Sequence, residues 1–219
     1  MTEGLNIGLW LAVLASGVYH GINPGMGWPL AVAAGLMERR QSALLSALGP
    51  LAGGHFLAMT VILLPFGMLT ALQYWSHEIR LAAAVIVICA GLLLLVYRRH
   101  PRFLARIPPS ELGLWSFAVA TAHGAGLMLV PMYLGLCTSQ PSPFSDHSSA
   151  MPVIANNLCL AVLVAAAHAT ALLATGGLAA WLTYRYFGVR ILSKAWINVD
   201  ALWAGSLVAV GVVAAAGSL

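Results

Sequence analysis

Charge is what this sequence has least of. Of 219 residues only 7% are Asp, Glu, Lys or Arg, against 61% hydrophobic, whereas a soluble domain carries roughly a quarter charged residues. That composition cannot build a water-facing shell around a core, so a soluble globular fold is excluded. Acids are the scarcest, six in the chain, and the net charge of +4 comes from ten Lys and Arg standing in short stretches between apolar runs. The positive balance therefore concerns membrane orientation and not nucleic acid. Cysteine is scarce too. Cys89, Cys137 and Cys159 stand far apart with no Cys-x-x-Cys pair, so neither a disulfide framework nor a thiolate metal site is indicated. The opening Met-Thr-Glu-Gly-Leu-Asn has no basic start of a secretory signal, and the first apolar stretch reads as a retained membrane segment.

What the chain does have is long uncharged runs, over residues 4–37, 41–77, 81–97, 112–145, 147–184 and 201–219. Crossing the hydrocarbon core takes about 20 apolar residues. The runs predict an all-α polytopic membrane protein with six transmembrane helices, near 7–36, 44–71, 79–98, 112–136, 152–182 and 197–217. At a rise of about 1.5 Å per residue the first would exceed ~40 Å as one straight rod. Pro24 lies in its middle, where the ring removes a helix hydrogen bond and clashes with the preceding turn. Helix 1 is therefore expected to break at Asn23-Pro24-Gly25, a natural hinge. Its freed backbone groups must face protein or water. Gly17, Gly21 and Gly25 form a small-residue stripe that lets another backbone come close.

Basic residues orient the chain. Arg39 and Arg40 fall in the first loop, Arg98, Arg99, Arg102 and Arg106 in the third, and Arg185, Arg190 and Lys194 in the fifth; Arg80 alone falls elsewhere. The positive-inside rule then makes loops 37–43, 99–111 and 183–196 cytoplasmic, with both termini outside. Trp75, Trp115, Trp181 and Trp196 stand near predicted helix ends, where interfacial anchors belong. The Arg98–Arg106 cluster fits the cytoplasmic face against anionic lipid.

Against this apolar background four histidines stand out: His20, His55, His123 and His168. Each lies roughly 11 to 16 residues into its predicted helix, so all four fall near mid-membrane whichever way the helices run. An ionisable ring at that depth is costly and faces a bundle interior, cavity or cofactor. Their order repeats. His20-Gly21 with Gly25-Met26 and Pro29 matches His123-Gly124 with Gly126, Met128 and Pro131, and Gly53-Gly54-His55-Phe56 matches Ala166-Ala167-His168-Ala169. Residues 1–106 and 107–219 thus read as two three-helix repeats, and three spans per copy make them inverted. Transporters built this way place substrate at the repeat interface beside interrupted helices.

In this organisation, with His-Gly and Asn-Pro-Gly in the first unit, the chain resembles the LysE transporter superfamily, and its intramembrane histidines are similar to those of the NicO-type nickel/cobalt exporters. The resemblance implies a bacterial inner-membrane protein that exports a transition-metal ion rather than an enzyme.

Imidazole is a common ligand for zinc, copper, nickel and cobalt, so His20, His55, His123 and His168 are the expected metal ligands, with Ni, Co, Zn or Cu left open. A divalent ion among neutral ligands wants a carboxylate, and Asp200 is the intramembrane candidate; monovalent copper would instead be helped by the thioethers of Met26 and Met128. Asn23 is a further polar candidate, with Thr121, Thr170, Asn156 and Asn157 as lining and His77, His100 and His147 as solvated loop residues. Three other readings stay open. Bis-histidine pairs can hold haem b for electron transfer, with Gly21 and Gly124 leaving room for the macrocycle. Three histidines and an open position make a metalloenzyme. The histidines can also carry protons that drive export of a small organic solute. Membrane lipid and the ion are the expected partners, and self-association as a homo-oligomer is admitted.

Overall fold

The computed structural model describes residues 2–69, 76–96, 107–138, 150–187 and 199–216, and every regular element among them is helical. α1 (Thr2–Ile22) ends where the sequence says it must. Asn23 precedes a proline, which drives it to extended backbone (φ −68, ψ 119), and its side chain accepts a hydrogen bond from the Gly25 amide at 2.8 Å. A single 3-10 turn, Pro24–Met26, carries the chain to Gly27 (φ 99), and α2 (Trp28–Glu38) leaves with Pro29 in its first turn. Beyond a short turn capped by Arg39 (φ 54), α3 runs Gln41–Leu69 through Pro50 and Pro65. α4 is Ser76–Val96, so exposed His77 lies in its first turn rather than in a loop.

The fourth predicted span, near 112–136, is a correction. It is two helices, α5 (Leu112–Ala122) and α6 (Ala125–Thr138), bent by 67° at His123-Gly124. Gly124 sits at φ 68, a left-handed conformation that glycine alone enters without cost and that ends a right-handed helix. Pro131 stays inside α6 and does not end it. α7 (Ala150–Leu182) closes in a π-helical turn, Thr183–Phe187, and α8 is Val199–Ala216.

By length and composition three described stretches can cross a membrane: Gln41–Met68 with mean hydropathy 1.7, His77–Val96 with 2.8 and Ile154–Phe187 with 2.1. A fourth crossing is added if the bent α5–α6 pair counts as one, while Asn6–Ile22 and Leu207–Ala216 are shorter apolar helices. Large apolar side chains such as Leu45, Leu57, Val61, Leu114, Leu178 and Val213 point outward, an exterior compatible with lipid. The loop expected at 183–196 is described only to Phe187, that at 99–111 only from Ile107, and His100, Asp146 and His147 fall outside the described residues.

Glycines set how the helices pair. A Cβ on Gly17 would stand 2.5 Å from the His168 carbonyl oxygen and one on Gly21 2.1 Å from Thr175 Oγ1, so α1 lies directly on α7 and runs parallel to it. A Cβ on Gly113 would meet the Pro50 oxygen at 3.4 Å and one on Gly54, a turn further on, the Phe117 nitrogen at 3.0 Å and the Gly113 oxygen at 2.0 Å, so α5 lies parallel on α3. Ser116 Oγ ties the two by donating to the Leu51 carbonyl at 2.6 Å. Gly91 meets Ala204 and Val208, while Gly211 meets Ala84 and Ile88: α4 and α8 run antiparallel. α3 and α7 are antiparallel too, with Leu48 by Gly177, His55 by His168, and Asn157 Nδ2 donating to the Gly67 oxygen at 3.5 Å. The apolar core between them centres on Met59, Leu63, Leu129, Tyr133 and Val164, where the Tyr133 hydroxyl donates to the Asn157 carbonyl at 2.9 Å.

Candidate functional site

Three of the four singled-out histidines meet. His20 occupies the last turn of α1, His55 the middle of α3 and His168 the middle of α7, and they are 0%, 1% and 0% exposed. Their ring centroids lie 5.5 Å (His20–His55), 4.8 Å (His20–His168) and 5.4 Å (His55–His168) apart. The close α1–α7 seam at Gly17 makes this possible, because a bulkier residue would hold Ser16 and His20 away from α7.

Ser16, 3% exposed, organises two of the rings. Its hydroxyl donates its one proton to the Val13 carbonyl at 2.8 Å. The oxygen must then accept at its 2.9 Å contact with His168 Nδ1, so His168 carries its proton on Nδ1 and its lone pair on Nε2. The Ser16 carbonyl, an acceptor only, takes the Nδ1–H of His20 at 3.0 Å. At the α5–α6 bend the same rule fixes His123, whose Nδ1 donates to the Val119 carbonyl at 2.9 Å. Three imidazoles thus present Nε2 lone pairs, each oriented through the other ring nitrogen, the arrangement that positions metal-binding histidines.

His55 Nε2 and His168 Nε2 lie 3.3 Å apart, on rings only 13° from parallel. Two nitrogens on one tetrahedral ion at about 2.0–2.1 Å stand ~3.3 Å apart with ring centres ~5 Å apart. The separations fit. The ring orientations are not complete, because among the described residues no three His, Cys, Asp or Glu side chains are already arranged to hold an ion. His123 is half-buried at the α5–α6 bend.

The other candidates divide. Asn23, 6% exposed, spends its Oδ1 on the Gly25 amide and so builds the break together with Pro24 and Gly25. Met128 is 7% exposed inside the apolar core. Met26, 6% exposed, lines a small cleft. Asp200 is in the first turn of α8, and its side chain is outside what is described. Thr121 and Thr170 bond their own helix backbones, Asn156 is exposed, and Asn157 ties α7 to α3. The space around Gly21 is filled by Thr175, Leu172 and Gly176, and that around Gly124 by Leu127 and Leu207. Sequence reasoning overlooked Ser16 and the second break. The signal for Ser16 was its place one turn before His20 on the same helix face.

No family model, curated protein or solved structure matches this chain.

Proposed function

We propose that the protein is an integral membrane transporter, working as an exporter, whose substrate is a transition-metal ion held by His20, His55 and His168, with His123 taking part from the α5–α6 bend. The observation that carries this is the convergence of three fully buried imidazoles from three helices, with Nδ1 of His20 and His168 anchored to Ser16. A trio of ionisable rings inside an apolar bundle is a costly feature that structure alone does not require.

The six-span, two-repeat reading is part of the same proposal, with units 1–106 and 107–219. It is supported by the pairing of helices. Exchanging α1 with α5, α3 with α7 and α4 with α8 turns the α1–α7 seam into the α3–α5 seam, both parallel. The exchange also returns the antiparallel α3–α7 and α4–α8 pairs to themselves; Ala84, Ile88 and Gly91 meet Gly211, Val208 and Ala204 as a two-fold axis would have it. Each unit opens with a helix broken at or just after a His-Gly pair, so rocking one unit on the other moves His20 and His55 relative to His123 and His168. That motion is the alternating-access step.

The contact between His55 Nε2 and His168 Nε2 favours a second reading, in which the Ser16–His168–His55 chain passes protons for export of an organic solute. The haem alternative loses the room expected at Gly21 and Gly124, because both are packed against protein.

Elemental analysis of detergent-purified protein separates these. The proposal expects about one transition metal per chain, retained by neutral imidazoles and lost in His55→Ala and His168→Ala while helicity persists. Metal retained undiminished in both variants refutes it, and a haem absorption band would restore the electron-transfer reading.

A further inference from the structure

Resting on the metal-transport reading, we infer that the ion this site takes is a soft monovalent one, Cu(I), reached over the thioether of Met26.

The first ground is charge. The described acids Glu38, Glu78 and Glu111 are all exposed. Asp200 opens α8, and Leu207, seven residues on, is the residue that meets Gly124; the Asp200 backbone thus lies ~10 Å along the helix from the level of the α5–α6 bend. Among described side chains the trio therefore has only neutral donors. The Born cost of bringing an ion into such a place rises with the square of its charge, about fourfold from a monovalent to a divalent cation.

The second ground is the approach. A small cleft of about 20 Å³, room for about one water-sized sphere, is walled by Gly21, Met26, Trp28, Leu51 and Leu172 and otherwise by further Leu, Ala and Gly. None of the three rings lines it, but its wall lies within about one helical turn of each along the chain: Gly21 follows His20, Ala52 is three residues before His55, and Leu172 is four after His168. Trp28 Nε1 donates to the Ile22 carbonyl and accepts nothing, which leaves the Met26 sulfur as the wall's one side-chain ligand atom. Such a wall gives a hydrated divalent ion nothing to exchange its waters for. It suits an ion that moves from ligand to ligand, and thioether with imidazole is the donor set that selects Cu(I). Cys89 and Cys159 are exposed and Cys137 half-buried, and none lines the cleft.

The third ground is side. The cleft uses the N-terminal half of α3 and the C-terminal half of α7, the ends that carry Arg39, Arg40 and Arg185. Toward the opposite end Met59, Leu63, Val164 and Tyr133 are 0% exposed. The trio is thus approached from the arginine-rich face, as export from the cytoplasm requires.

The test is anaerobic competition on the full chain in detergent, with Cu(I) against bicinchoninate, Ag(I) as a redox-inert probe, and Zn(II), Ni(II) and Co(II) in parallel. Circular dichroism checks each sample for fold. The inference expects one Cu(I) or Ag(I) per chain, at least about 100-fold tighter than any of the divalent ions and lost in His168→Ala. It also expects Met26→Leu to slow Ag(I) loading about tenfold while equilibrium affinity stays. Zn(II), Ni(II) or Co(II) bound as tightly at the same histidines overturns the monovalent cargo and leaves the transporter reading standing. A folded chain that takes none of these ions overturns both. Unchanged loading in Met26→Leu overturns the route over its sulfur.

Discussion

Replacing Ser16 by Ala removes one oxygen and leaves the chain path untouched, yet it should disturb the site more than its size suggests. The hydroxyl accepts from His168 Nδ1 at 2.9 Å while donating to the Val13 carbonyl at 2.8 Å. Without it a donor on a 0% exposed ring loses its partner, which costs about 1–3 kcal/mol. The His168 ring is also released to turn or to change tautomer, and loss of such an orienting partner lowers metal affinity about 10–100-fold, or ~1.4–2.8 kcal/mol. The His20 contact goes to the Ser16 carbonyl and survives. Ser116→Ala is the matched control: Ser116 is equally buried at 3%, but its hydroxyl bonds the Leu51 carbonyl and no histidine. Thermal unfolding and metal titration in detergent should find Ser16→Ala impaired in both and Ser116→Ala impaired in stability alone. Equal metal affinity in the two variants would refute the positioning role.

Adjacent glycines give a second comparison. Gly54→Ala places a methyl 2.0 Å from the Gly113 oxygen and should prevent α3–α5 packing, whereas Gly53→Ala meets nothing within 4 Å and should be silent; yield of monodisperse protein checks this. Gly124→Ala has room, with no neighbour nearer than 3.6 Å, so its cost comes from φ 68 alone, about 1–2 kcal/mol. In the proposed rocking motion the bend is a hinge alongside Asn23-Pro24-Gly25, so the change should slow transport more than it weakens binding. Tyr133→Phe removes the bond to the Asn157 carbonyl and should lower stability by about 1 kcal/mol, read as a lower melting temperature with metal affinity unchanged.

His20, His55 and His168 were legible because depth can be counted along an apolar run, and an ionisable ring at mid-depth has few ways to be accommodated. The first break was legible because proline states its own constraint, and the structure turns at Asn23-Pro24-Gly25 for that reason. The second break was not. It rests on Gly124 entering the left-handed region, and nothing in a lone glycine among apolar residues announces that; only the analogy of His20-Gly21 with His123-Gly124 pointed to it. Ser16 was hidden for a different reason. A serine one turn from a histidine is ordinary helix surface until a close α1–α7 approach brings His168 to it. The cleft was hidden as well, since Met26, Leu51 and Leu172 come from three helices and acquire meaning only when these pack.

The account turns on whether the buried trio moves an ion and does not merely hold one. Proteoliposomes loaded with an ion-sensitive dye, containing the intact chain or His168→Ala, measure this directly. Saturable ion flux in the intact chain and flux at the level of empty liposomes in His168→Ala is the predicted result. Equal flux from both, or an ion bound tightly by the trio with no flux at all, would contradict it.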